Sequence, residues 1–428
     1  MHRWVLIQWA IPSGHDGFRA DSRLFDDEDV LRDDYQPERI EERDEELEEY
    51  KAYFQPVING KQPRNIFLYG KTGVGKTVAT KYLLSHLERD AERYDDLDIT
   101  TVYLNCEHLT SSYRVAVNLV NELREEGEQI STTGYPRDAV YDMLWAELEE
   151  VGGTILVVLD EIDYIGDDDS LLYQIPRARS NENLHDAKVG IIGISNDFKF
   201  REQLDPRVED TLCEREIHFP PYDGNELRNI LDKRSTLAFE DGVLSEDVVP
   251  LCSALAAQDR GSARQALDLL FEAGDLARRN GDGNVTEHHV RNARSRLEKR
   301  QIEESMKDLT SHDHLTLYTI TALTVFGEEM PVRRQTIYDR YEDVATSTDH
   351  DPLAMRSLHA HLSDLVMLGI LERHERNEGR SGGAYYEYEL GVALDAVVTT
   401  LDGLAITKNL DTDRLRTAAE RQGRIDPT

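Results

Sequence analysis

Apolar positions in the first half of the chain fall into short runs. Residues 66–69 (IFLY), 100–105 (TTVYLN), 154–163 (TILVVLDEID) and 189–195 (VGIIGIS) each carry four or more apolar or β-branched residues in succession. Runs of this length predict strands, and continuous runs predict strands covered on both faces. Between them the spacing becomes helical, at residues 78–84, 113–124 and 137–151. A fifth, short strand is expected at 216–219. Strands alternating with helices imply an α/β core with a parallel sheet and a ligand at the carboxyl ends of its strands.

The period stays helical from about 226 to 297, which reads as a small all-helical lid, and a charged connector follows at 294–307. Three more helices are expected at 315–326, 334–344 and 353–368. A strand at 370–373, a Gly/Arg turn at 377–383 and a strand at 385–390 come next, and three helices followed by a hairpin is the order of a winged helix. In the third helix Leu358, Leu362, Leu365 and Leu368 form the expected inner stripe, leaving Arg356, Ser357, His359 and Ser363 outside. The expected division is a tail over 1–24, a nucleotide-binding core over 25–222, a lid over 223–305, a winged helix over 306–401 and a tail over 402–428. Before the first strand, residues 24–56 read as a turn at Pro37 and then an acidic helix, placed to lie over a bound base.

Composition narrows the setting. The 428 residues carry a net charge of −35, from 84 acidic and 49 basic residues, and only 11 of the basic residues are Lys. A carboxylate-rich, Lys-poor surface stays hydrated in concentrated salt, so a halophilic cytoplasm is expected. At molar salt the Debye length falls to ~3 Å, and the global negative field then scarcely repels DNA. Three widely spaced cysteines, Cys106, Cys213 and Cys252, argue against a disulfide framework or a zinc site. No apolar run approaches the ~18 residues of a membrane span, and the octet at 4–11 is at the short end for a secretory signal.

Candidate chemistry starts at residues 70–77, GKTGVGKT, which match the phosphate-loop pattern at every fixed position and sit between a strand and a helix. Gly70, Gly73 and Gly75 let the backbone approach a polyphosphate at a helix N-terminus, with Val74 and Val78 flanking. Lys76 is placed to hold the β- and γ-phosphates of ATP or ADP, and the Thr77 hydroxyl to reach Mg²⁺. The run at 154–163 ends in Asp160 and Glu161, a Mg²⁺-orienting acid followed by a water-activating one. Asn196 ends the fourth strand, where it can meet the γ-phosphate and the attacking water. Arg264, on a lid helix, can report whether that phosphate is present.

Together these stretches resemble the archaeal origin-recognition and cell-division-cycle type of replication initiator, a branch of the AAA+ ATPases. The resemblance runs from about 24 to 401. It is carried by Leu31-Arg32-Asp33-Asp34-Tyr35 with Pro37, the phosphate loop, LDEID at 159–163, Ser195-Asn196-Asp197, LDPRV at 204–208, FPPY at 219–222 and G-x-A-R at 261–264. It implies an AAA+ core, a helical lid and a C-terminal winged helix. It implies that Asn196 and Arg264 are the two sensors, that Arg207 is a finger toward a neighbouring copy or paralogue, and that Tyr222 and Arg234 line the nucleotide pocket. Glu209 and Asp210 depart from the expected residues after LDPRV. Slow ATP hydrolysis would act as a switch.

The implied partners are double-stranded origin DNA and a replicative helicase of the minichromosome-maintenance type, with nucleoid association and no membrane. Residues 107–135 would touch DNA beside the winged helix. Arg356 and Arg380 are the first candidates within the winged helix, since the planar guanidinium fork pairs with phosphate or guanine. An ATP-dependent transcription regulator or a non-replicative initiator paralogue stays open on the sequence. A metabolic kinase is disfavoured for want of an acceptor site.

Overall fold

The computed structural model describes residues 24–94, 97–166, 168–327, 329–377, 384–404, 406 and 410–421. The chain divides into two compact units, Met1–Arg291 and Asn292–Thr428. No helix among the described residues is long and apolar enough to cross a membrane.

The first unit opens with α1 (Asp44–Ile58), whose first turn carries Asp44, Glu45 and Glu46, acids that suit the positive end of the helix dipole. Then follow β1 (Ile66–Tyr69), α2 (Lys76–Ala91), β2 (Ile99–Asn105), α3 (Ser112–Leu123), α4 (Arg137–Val151) and β3 (Thr154–Asp160). The core closes with α5 (Ser170–Arg177), β4 (Lys188–Ser195), α6 (Phe200–Gln203), α7 (Pro206–Leu212) and β5 (Arg215–His218). The five strands are parallel, in the order β2-β3-β4-β1-β5.

Every residue of β3 is buried. Ile155, Val157 and Leu159 face one hydrophobic core, while Leu156 and Val158 face the other. That double burial explains why the run is continuously apolar rather than alternating. The register sets Tyr69 beside Ser195 and Asp160 beside Ile194, so three chemistry-bearing loops leave the sheet together at the carboxyl ends of its central strands.

The lid of this unit is α8 (Gly224–Ala238), α9 (Val248–Asp259) and α10 (Ala263–Asn280), followed by α11 (Glu287–Lys307), in which the division of the chain falls. Asp223 and Glu226 cap α8 reciprocally. The stretch at 294–307, read as a connector, is instead the second half of α11, with Arg294 and Glu298 paired at 2.7 Å one turn apart. Residues 24–31 pack on the lid, where the Phe25 ring lies tilted against Phe239 with centroids 4.5 Å apart. Gly274 makes room for both rings, since a Cβ there would overlap them.

The second unit holds α12 (Ser311–Phe326), β6 (Val332–Arg333), α13 (Arg334–Ser347), α14 (Met355–Met367), β7 (Leu371–Asn377), β8 (Ala384–Leu390), α15 (Leu394–Asp402) and α16 (Thr412–Arg421). Its strands form an antiparallel sheet in the order β6-β8-β7, completing the expected winged helix. One expectation fails. Leu358, Leu362 and Leu365 are buried, but Leu368 is 48% exposed. The cause is that α14 ends at Met367, after which Gly369 takes φ +72° and turns the chain so that Ile370 fills the core instead.

Ile370→Ala should therefore destabilise the second unit by about 2–5 kcal/mol, and Leu368→Ala by less than about 0.5 kcal/mol. Urea unfolding at constant KCl checks this, and equal losses would restore Leu368 to the stripe.

Candidate functional site

Beyond Tyr69 the chain turns through Gly70, whose Cβ position would overlap the Phe219 carbonyl. Gly73 and Gly75 take φ +81° and +94°, a region costly for any residue with a Cβ. Among the described residues, the backbone N–H groups from Gly73 to Thr77 meet no protein acceptor, and they lie at the positive end of α2. Donors left free on a loop that side chains cannot fill are a fitting cradle for a polyphosphate. Val74 is buried beneath the loop, and Val78 lies on the wall of the cavity above it.

Lys76, itself buried, donates to the carbonyls of Gly70 (2.7 Å) and Lys71 (2.9 Å) and to Asn196 Oδ1 (2.9 Å). Burial pushes its ammonium down to about 8, and the Asp160 carboxylate offsets only part of that. The Thr77 hydroxyl donates to Asp160 Oδ2 at 2.7 Å, and the Tyr103 hydroxyl donates to the same oxygen. Glu161 follows at φ +56°, a left-handed turn. Burial first, then the charges of Glu107 and Asp160, hold its carboxyl above the usual range, which suits a group that must accept a proton.

The lid closes the other side. Ala263 N–H donates to the Gly73 carbonyl at 2.9 Å, and a Cβ on Gly73 would overlap the Ser262 hydroxyl. Arg264, one residue further along, pairs with Asp33 at 3.1 Å. Arg234 donates to the Val30 carbonyl at 3.0 Å and stacks over the Tyr35 ring at 4.3 Å. Sheet, lid and residues 32–41 together enclose a cavity of about 620 Å³, within the range of small-molecule sites. Lys76, Thr77, Asp160, Glu161, Asn196, Tyr222, Arg234 and Arg264 all border it.

Other expected residues lie elsewhere. Arg207 sits on the first turn of α7, where it pairs with Asp205 at 3.0 and 3.1 Å rather than with Glu209, whose partner is Arg201. Arg356 is exposed on α14 in the second unit. Arg380 lies outside the described residues. Within 107–135, α3 is built into the core through Val115, Ala116, Leu119 and Val120, so the exposed part is the loop that follows. At either end of that loop Arg124 is tied to Glu147 at 2.6 Å and Arg137 to Asp168 at 2.7 Å.

The sequence reading passed over three site residues. Tyr103 holds Asp160, and Asp33 holds Arg264. Arg43, only 2% exposed, donates to the carbonyls of Val74 (3.2 Å) and Pro220 (2.6 Å) and lies 3.6 Å from the centre of the Tyr222 ring. An arginine in a Glu-rich stretch gives no periodic signal of burial.

Three family models match the chain: an AAA domain over residues 59–201, a Cdc6 AAA+ ATPase-type lid domain over 228–295 and a CDC6 C-terminal winged helix domain over 304–400. ORC1-type DNA replication protein 15 of Haloarcula marismortui is 54% identical over 398 residues, covering 93% of this chain and 97% of that protein. ORC1-type DNA replication protein 10 of Halobacterium salinarum is 53% identical over 411 residues, covering 95% and 98%. Among solved structures, the Aeropyrum pernix ORC1 protein in complex with DNA superposes with a TM-score of 0.79 at 35% identity, covering 91% of this chain and 100% of that one.

Because the charged form of Lys76 is the one that holds phosphate, ATP affinity should fall as pH rises above about 8, by up to tenfold per unit, with proton uptake on binding. Calorimetry in buffers of different ionisation enthalpy measures both. An affinity flat to pH 9.5 would contradict the assignment.

Proposed function

The chain belongs to the ORC1-type family of DNA replication initiators, AAA+ ATPases with a Cdc6-type lid and winged helix, and on that footing we propose that it is an ATP-dependent switch that binds origin DNA and recruits the replicative helicase. The observation that carries this is the meeting of phosphate loop, acidic strand end, Asn196 and the lid's Arg264 at one cavity, in a chain that also contains a winged helix.

In this reading the free N–H groups of the loop and Lys76 take the β- and γ-phosphates, with a phosphate oxygen replacing one of the three acceptors Lys76 now serves. Thr77 Oγ1 would supply an oxygen of the kind Mg²⁺ prefers and Asp160 would orient the ion through its water shell, and the ion would neutralise charge on the phosphates. Glu161 aligns the attacking water, and Asn196 bridges that water and Lys76. Arg264 exchanges Asp33 for the γ-phosphate, so the lid and residues 24–35 respond to which nucleotide is present. Tyr222 and Arg234 shape the far wall, and Arg207 serves a neighbouring copy's nucleotide. Slow turnover suits a device that needs two long-lived states.

DNA contact is assigned to the winged helix, with Arg356 on the exposed side of α14 and Arg380 in the wing. The DNA-bound Aeropyrum pernix relative supports this reading. With 84 acidic residues against 49 basic ones, a small set of cations is taken to face phosphates, so the salt dependence of binding should be shallow, each contact adding ~0.9 to the slope. Arg356→Ala should weaken binding to an origin fragment about 5- to 100-fold, as loss of a bidentate contact does. Binding measured across a KCl series tests this. An Arg356→Ala protein that binds like wild type would remove α14 from the interface, and a steep wild-type slope would contradict a small contact set.

A further inference from the structure

Histidines and carboxylates gather in the second unit where the start of α12 meets α14. His361 and Asp364 lie three residues apart on α14 and so share one face. Asp313 comes from the first turn of α12. One ligand atom from each of the three lies within 4.8 Å of the other two.

Asp313 is buried, and its carboxylate is held in place. Oδ2 accepts from the Thr310 backbone N–H at 3.1 Å and from its hydroxyl at 2.5 Å, which leaves Oδ1 facing His361 Nδ1 at 2.7 Å. Among the described residues neither Asp313 nor Asp364 has a Lys or Arg partner. Two further imidazoles stand alongside, with the His312 ring centre 6.0 Å from those of both His361 and His350. Each of the three rings is fixed through Nδ1, His312 by the Tyr341 hydroxyl (2.7 Å), His350 by the Thr348 carbonyl (2.8 Å) and His361 by Asp313. An imidazole nitrogen and carboxylate oxygens within 4.8 Å of one another are the mixed donor set of a site for a divalent cation.

We propose that Asp313, His361 and Asp364 form a site for one divalent first-row transition metal ion, which would take the place of the proton between Asp313 Oδ1 and His361 Nδ1. Imidazole with carboxylates selects Zn²⁺, Co²⁺ or Mn²⁺ over Ca²⁺ and Mg²⁺, which prefer oxygen alone. Metal bonds of ~2.0–2.2 Å require the ligand atoms to sit closer than 4.8 Å, and rotation of the exposed Asp364 side chain closes that gap. A bound ion would tie the start of α12 to α14. The site is separate from the nucleotide cavity and does not depend on the DNA-binding assignment.

The test is a Co²⁺ titration of the full chain, stripped of metal and free of nucleotide, followed by visible ligand-field absorption and by competition with Zn²⁺. One ion per chain is expected to give this signal. His361→Ala should abolish it, and Asp364→Asn, at a solvent-exposed position, should weaken binding at least tenfold without altering the thermal melt of the metal-free protein. A second His-carboxylate group, Glu372, His374 and Glu389 on the wing strands, supplies the control, since His374→Ala should leave the titration unchanged. The proposal is overturned if wild type shows no band at stoichiometric Co²⁺, if the band survives both α14 substitutions, or if His374→Ala removes it.

Discussion

One buried guanidinium fixes the geometry on which the nucleotide cavity depends. Arg43 ties the carbonyl of Val74 in the phosphate loop to the carbonyl of Pro220 beyond β5, while Glu46 at 3.2 Å balances its charge and the Tyr222 ring covers it. A loop whose N–H groups must face a ligand needs its carbonyls satisfied elsewhere, and Arg43 satisfies the one at Val74. A charge so deeply buried is tolerated only when its donors are matched, so α1, the phosphate loop and the FPPY turn are obliged to keep one arrangement.

The lid meets the loop at a second point. Ala263 donates to the Gly73 carbonyl, and Ser262 occupies the space a side chain on residue 73 would need. Two carbonyls of the loop are thus held from elsewhere in the chain, one by Arg43 just before α1 and one by the first residue of α10. The loop glycines serve the lid as well as the phosphates, because any Cβ at Gly73 would push α10 away. This coupling gives a physical route from nucleotide to lid, in which a change at the phosphates is felt within one hydrogen bond of Arg264.

How much of this the sequence discloses follows from how local each feature is. The phosphate loop, Asp160-Glu161 and the strands are legible because chemistry, turn and burial are written in consecutive residues. The roles of Arg43, Asp33 and Tyr103 are not, since each depends on a partner far off in the chain that no spacing reveals. Helical spacing puts Leu368 in the inner stripe because it cannot say where the helix stops; α14 ends at Met367, one residue short of the expected end, and Gly369 then turns the chain. The spacing at 113–124 predicts a helix there, but not that Val115, Ala116, Leu119 and Val120 of α3 pack into the core.

Nucleotide at the loop should be sensed by the lid and by residues 24–41 as one body. Hydrogen exchange in Glu161→Gln, which should retain ATP without consuming it, tests this most directly. ATP should slow exchange at residues 30–40 and 262–267 together, more than ADP does, along with the phosphate loop itself. Protection confined to the phosphate loop and α2, and equal for the two nucleotides, would contradict it.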